Sequence, residues 1–111
     1  RGIYLKNNHA SLTLQTSVVW FSSNTTSAND TLDMALAGEG VNATMETVAN
    51  ESTAPSGESF SAPASKGAGL AVGNVAFGQR YGIWLRRTVS AAAAAVNANA
   101  ATVSWEGDTS A

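Results

Sequence analysis

The sequence predicts an all-β domain, an antiparallel sandwich of about seven or eight short strands. Three observations carry this. Short runs of branched and aromatic residues alternate in polarity over four to nine positions, Gly, Asn, Ser and Pro punctuate them, and neither a heptad, an internal repeat nor a βαβ rhythm interrupts the pattern. Many half-apolar strands are best buried as two packed antiparallel sheets, with a small closed barrel as the other solution.

The stretch 81–89, YGIWLRRTV, reads as a central strand. Alternation puts Tyr81, Ile83, Leu85 and Val89 on one side and Gly82, Trp84, Arg86 and Thr88 on the other. Ahead of it, Gly2 to Lys6 is rich in strand formers and Asn7-Asn8-His9-Ala10 is a turn. Strands are expected at about 12–15 and 17–22, continuous or with an irregular middle. Leu12, Leu14, Val18 and Trp20 line one side there, with Val19 and Phe21 opposite.

After the polar loop 22–30, a half-buried strand at 31–37 places Leu32, Met34 and Leu36 against Asp33, and Gly38 and Gly40 close it. A short strand is expected at about 43–49, within a long ordered loop that holds Pro55, Phe60 and Pro63. Leu70 and Val72 share one parity and Val75 and Phe77 the other, with Gly73-Asn74 shifting the phase, which suits a short strand, a turn, and an apolar residue plugging the bottom of the sheet before Gly78-Gln79. The alanines at 91–95 are too few to nucleate a helix and read as a loop, with a single helical turn as the lesser option. The last strand, 102–106, carries Val103 and Trp105 inward, followed by a fraying tail at 107–111. The connector between 81–89 and 102–106 predicts that these two strands pair in one sheet. Leu12, Leu14, Val18, Trp20, Leu32, Met34, Leu36, Leu70, Val72, Ile83, Leu85, Val103 and Trp105 form the expected core.

At 111 residues the chain is read as one domain over 1–111, alone or within a longer chain that starts ahead of Arg1. A charge of −2 from 6 basic and 8 acidic residues lacks the field of a nucleic-acid binder, and no run approaches the roughly 18 apolar residues of a membrane span. Charged residues make up only 13%, about half the usual share, so small neutral polar groups solvate the surface, as suits extracellular or assembled proteins. With no Cys, stability rests on the sheet core, a parent chain or contacts in an assembly.

The residues point to no enzyme and no cofactor. His9 is the sole histidine and reads as a turn residue, since a catalytic relay would have to be built on a turn beside Ser11. One histidine without cysteine argues against structural zinc, and Asn29, Asp30 and Asp33 lack the spacing of a calcium loop. Glu46, Glu51 and Glu58 form no spaced glycosidase pair, and Gly67, Gly69, Gly73 and Gly78 spell no phosphate loop. Asn24, Asn29, Asn42 and Asn50 each begin an N-x-Ser/Thr match that this composition also generates by chance.

Trp84, opposed in parity to Ile83 and Leu85, is the ring best placed for a sugar platform, and a covered second face or an interface explains it equally. Arg86-Arg87 is the one basic pair. Alternation sends Arg87 inward with Leu85, so either a bulge turns both guanidiniums out or Arg87 bonds backbone or a carboxylate such as Glu106.

The runs Ile3-Tyr4-Leu5-Lys6-Asn7 with His9-Ala10, Leu12-Thr13-Leu14, 47–55 (TVANESTAP), Gly78-Gln79, 83–89 (IWLRRTV) and 105–109 (WEGDT) together resemble a group of tailed-bacteriophage virion structural proteins, over nearly the whole chain. The resemblance implies a β-rich, immunoglobulin-like module located in the virion, typical of their C-terminal region, and supplies no catalytic residue. The expected role is therefore structural or decorative, in capsid, neck or tail, through contacts with other virion proteins and self-association. Phe60, Trp84, Arg86 and Arg87 are the expected interface, with Phe60 as buried anchor of the 50–69 segment. The alternative is an accessory adhesin that binds host-surface glycan through Trp84 or the 50–66 loop.

Overall fold

Where alternation is strongest, the strands form as the pattern requires. The computed structural model describes residues 1–109. Its strands are β1 (Gly2–Lys6), β2 (Leu14–Ser23), β3 (Asp30–Val41), β4 (Leu70–Val75), β5 (Arg80–Val89) and β6 (Thr102–Thr109), with a single 3-10 turn at Lys66–Ala68. They make two three-stranded antiparallel sheets, sheet A in the order β1-β5-β3 and sheet B in the order β4-β2-β6. Val19 and Phe21 from β2, Met34 from β3, Val72 and Val75 from β4 and Ile83 from β5 fill the space between the sheets. Ile3, Leu5, Leu32, Leu36, Leu70, Tyr81, Leu85, Val103 and Trp105 close its margins. β5 is the centre of sheet A, as its two-sided pattern predicts.

Six strands stand among the described residues, against the seven or eight expected, for two reasons. The runs at 12–15 and 17–22 belong to one strand, and 43–49 forms none because its apolar side chains are spent on covering sheet A.

The phase of β2 also corrects the sequence reading. Register breaks flank Thr16, which adopts φ 47°, and this bulge flips the parity, so Ser17, Val19 and Phe21 face the core while Val18 and Trp20 stand half-buried on the outer face. The buried Ser17 hydroxyl is satisfied by the Gly73 carbonyl at 2.7 Å. On β4 the expected phase shift occurs, but inside one continuous strand rather than at a turn: Gly73 has φ 83°, and both Val72 and Val75 reach the core. Phe77 does not plug the sheet but is 56% exposed on the turn into β5. β3 keeps Leu32, Met34 and Leu36 inward and runs on through Gly38 and Gly40 to Val41, with a register break after Leu36. β6 likewise extends to Thr109, so 107–109 is strand, while residues 110–111 of the expected tail lie outside the described residues.

β5 and β6 lie in different sheets, contrary to the expected pairing. Both edges of β5 are taken along most of its length by β1 and β3, and β6 pairs with β2 instead. The alanine-rich connector is a loop, turned by left-handed residues at Ala92 and Ala98 (φ 59° and 54°), and it crosses from sheet A to sheet B. This is general: no two consecutive strands share a sheet.

Candidate functional site

The outer face of sheet A is built from small residues, which turn it into a trough. A Cβ on Gly82 would collide with the Met45 side chain, and one on Gly2 would crowd both Met45 and Trp84, so glycine here admits the covering loop. Ala35 and Ala37 of β3 and Trp84 of β5 form a second apolar cluster, covered by Met45, Val48 and Phe60 of the loop between β3 and the 3-10 turn.

That loop is tied down by polar contacts along its length. Met45 donates its N–H to the Tyr4 hydroxyl (2.9 Å), Glu46 donates its own to Glu39 Oε1 (2.6 Å), and Ser56 donates to Glu46 Oε1 (2.8 Å). Glu58 Oε1 accepts from Gly38 N–H (2.8 Å), and Asn50 Oδ1 turns the tip by accepting from Ser52 N–H and Thr53 Oγ1. Farther on, Ser61 and Met34 exchange backbone hydrogen bonds at 2.7 and 2.9 Å, and Pro63 accepts from Phe21 N–H at 2.8 Å, which laces the edge of β3 to β2 of the opposite sheet.

Under this cover Trp84 is only 5% exposed, so of the readings its parity left open the covered second face holds, and its ring offers no open face for a sugar. Phe60 is half-buried against its own sheet, and the Arg86 guanidinium stacks on its ring at 4.4 Å from the centroid. Phe60 therefore anchors its own loop. The arginines resolve the question left open by their parity: the β3–β5 register runs without a bulge past them, and each finds a carboxylate on β3. Arg86 donates through Nη2 and Nε to Asp33 Oδ2 (2.7 and 3.3 Å). Arg87 donates through Nε and Nη2 to Asp30, with Nε 2.9 Å from Oδ2, and Asn99 Nδ2 adds a further bond at 2.6 Å. Glu106, the partner suggested by the sequence, holds Lys66 at 2.7 Å instead and raises its pKa.

Asp30 is 3% exposed. The Arg87 hydrogen bonds hold its carboxyl below the usual range against the opposing cost of desolvation, with Asn99 adding to the effect, and Asp30 in turn raises the Arg87 pKa. Arg87 caps this carboxylate from outside, its side chain 61% exposed. Neither aspartate is set up as a calcium ligand, since each serves its arginine. His9 is a turn residue whose Nδ1 accepts the N–H groups of Ser11 (3.1 Å) and Leu12 (2.9 Å). Among the described residues no three His, Cys, Asp or Glu side chains converge as a metal site would need.

Phe60, Trp84, Arg86 and Arg87 all border one feature, an open groove of about 1070 Å³ between the 85–89 end of β5 and the loop at 50–55. Arg1, Arg86 and Arg87 line it with a single carboxylate, Glu51, in a chain of net charge −2. The sequence singled out the four residues but not their common groove, because the covering role of Met45 and Val48 and the Asp30–Arg87 pairing depend on strand register. Comparison with family models, curated proteins and solved structures gave no match.

Proposed function

We propose that this chain is a non-enzymatic structural or decoration module of a bacteriophage virion, in capsid, neck or tail, that works through protein–protein contacts and self-association. The protein-contact part is carried by the convergence of Phe60, Trp84, Arg86 and Arg87 on a single groove. Its walls are the loop packed on Trp84 through Val48 and Phe60 and the rim of sheet A. The virion setting rests on the resemblance of the 83–89 and 105–109 runs. At the level of architecture we class the fold as an immunoglobulin-like sandwich, two antiparallel sheets over one core, with its own strand connectivity.

Mass spectrometry of purified particles tests the setting. Peptides of this chain are expected in fixed ratio to the other structural proteins; particles whose protein density is fully accounted for without it overturn the reading.

A further inference from the structure

We propose that Lys6, Arg80, Tyr4 and Thr44, on the outer face of sheet A at the end away from the groove, form a binding site for a tetrahedral oxyanion, a phosphate or sulfate group. The inference goes beyond the protein-contact reading and is independent of the virion setting. It starts from a pair of uncompensated charges. Among the described residues Lys66, Arg86 and Arg87 each hold a carboxylate, while Lys6 and Arg80 hold none. Yet these two stand directly opposite each other in the β1–β5 ladder, and alternation from Trp84 puts both side chains on the outer face.

The ladder brings them close. Arg1 and Leu85 exchange backbone bonds and Asn7 N–H donates to Gln79 O, so Lys6↔Arg80 falls between bonded pairs, at the narrow spacing where side chains approach most closely. Like charges in that position destabilise a sheet, and a bound anion would remove the cost.

The surroundings supply donors and use up acceptors. The Arg80 guanidinium lies over the Tyr4 ring, 4.5 Å from its centroid, and donates through Nη2 to Thr44 Oγ1 at 3.2 Å. The Tyr4 hydroxyl accepts the Met45 N–H. Both hydroxyls have thus accepted a bond, and each keeps its own hydrogen to donate. Arg80 Nε is buried without a partner in the chain, so the guanidinium has given up water there with no acceptor in return. The carboxylates of the covering loop and the strand beside it are spent elsewhere, Glu39 on the Glu46 N–H and Glu46 on the Ser56 N–H. Two cations and two hydroxyl donors match an ion that offers several acceptor oxygens. The rival explanation is that Lys6 guards the β1 edge against pairing. Guarding calls for one charge on the edge strand, whereas Arg80 belongs to β5, the centre of the sheet.

The test is titration of sodium phosphate into the nitrogen-15-labelled chain at constant ionic strength, with sulfate, acetate and chloride as comparisons. Phosphate and sulfate are expected to shift the Arg80 Nε–H and Thr44 amide signals saturably and to raise the melting temperature, and acetate and chloride to do neither. Methyl phosphate separates the sources: binding as tight as that of the inorganic ion fits a group carried on a larger molecule, and its exclusion fits the free ion. Lys6→Gln removes a charge that no carboxylate of the chain holds, so in low salt it should melt no lower than the parent while phosphate affinity falls severalfold. Arg80→Gln should weaken binding about tenfold, and should it misfold, Lys6→Gln still carries the test. Lys66→Gln, which removes the same charge from the neighbourhood of sheet B, should leave phosphate binding unchanged. The proposal is overturned by shifts that grow without saturating, by equal effects of acetate or chloride, by undiminished affinity in Lys6→Gln, or by an equal loss in Lys66→Gln.

Discussion

At the scale of single residues, buried polar groups fix how the turns at the two ends of the molecule sit. Asn7 donates through Nδ2 to the carbonyls of Leu12 and Val75, both at 2.9 Å, and its own backbone bonds Gln79 and Gly78, so one amide joins the β1–β2 turn to the β4–β5 turn. Asp30 plays the same part at the opposite end, bonded by Arg87 and Asn99. Because the folded state lowers its pKa, the unfolded chain takes up the proton first as pH falls. The contribution of Asp30 is thus fully present above the unfolded value of about 3.9 and is lost as pH drops through the lower folded value. Arg87 stays charged throughout. Asp30→Asn should therefore lower the urea midpoint near neutral pH and flatten the acid limb of midpoint against pH. Parallel acid limbs for variant and parent would show that the pair contributes nothing to acid sensitivity.

At the scale of elements, the bulge in β2 decides which half of that strand is core. Thr16 sits at φ 47°, a left-handed conformation that its branched side chain tolerates poorly, and among the described residues its hydroxyl makes one long bond, to Asp108 at 3.4 Å. Its backbone N–H bond to Asn74 Oδ1 (2.9 Å) needs no threonine. Thr16→Asn is expected to stabilise the domain by about 1 kcal/mol, read as a higher urea midpoint at unchanged slope, and an unchanged or lower midpoint would show that the bulge carries no such strain. The same bulge marks where the sequence stops being legible. Leu32, Met34 and Leu36 on β3 and Ile83 and Leu85 on β5 follow an unbroken period of two, so their inward faces could be read directly. Val18 and Trp20 could not, since one extra residue reverses parity without changing composition. Trp84 was legible as outward-facing but not as covered, because Met45, Val48 and Phe60 arrive from a segment with no periodicity. The partners of Arg86 and Arg87 depended on the offset between β3 and β5, which no local pattern states.

Over the whole molecule, the chain steps from one sheet to the other at every connection. This is why adjacent strands 81–89 and 102–106 could not be paired by proximity: each connector is an arch over the core rather than a hairpin. Every ladder then joins strands at least two apart in order, and such non-local pairing predicts folding in the millisecond-to-second range rather than microseconds. The order of emergence during synthesis follows from the same threading. β2 has no partner until β4 is out at Val75, and β1 and β3 have none until β5 is complete at Val89. Ribosome-bound chains halted after Gly78 should therefore be digested by protease as readily as an unfolded control, with protection appearing only once β5 and β6 have cleared the exit tunnel; protection at the earlier halt would contradict this. Until then the 18–21 stretch, Val-Val-Trp-Phe, has no sheet to enter, and the nascent chain must be kept from its neighbours by something other than its own fold.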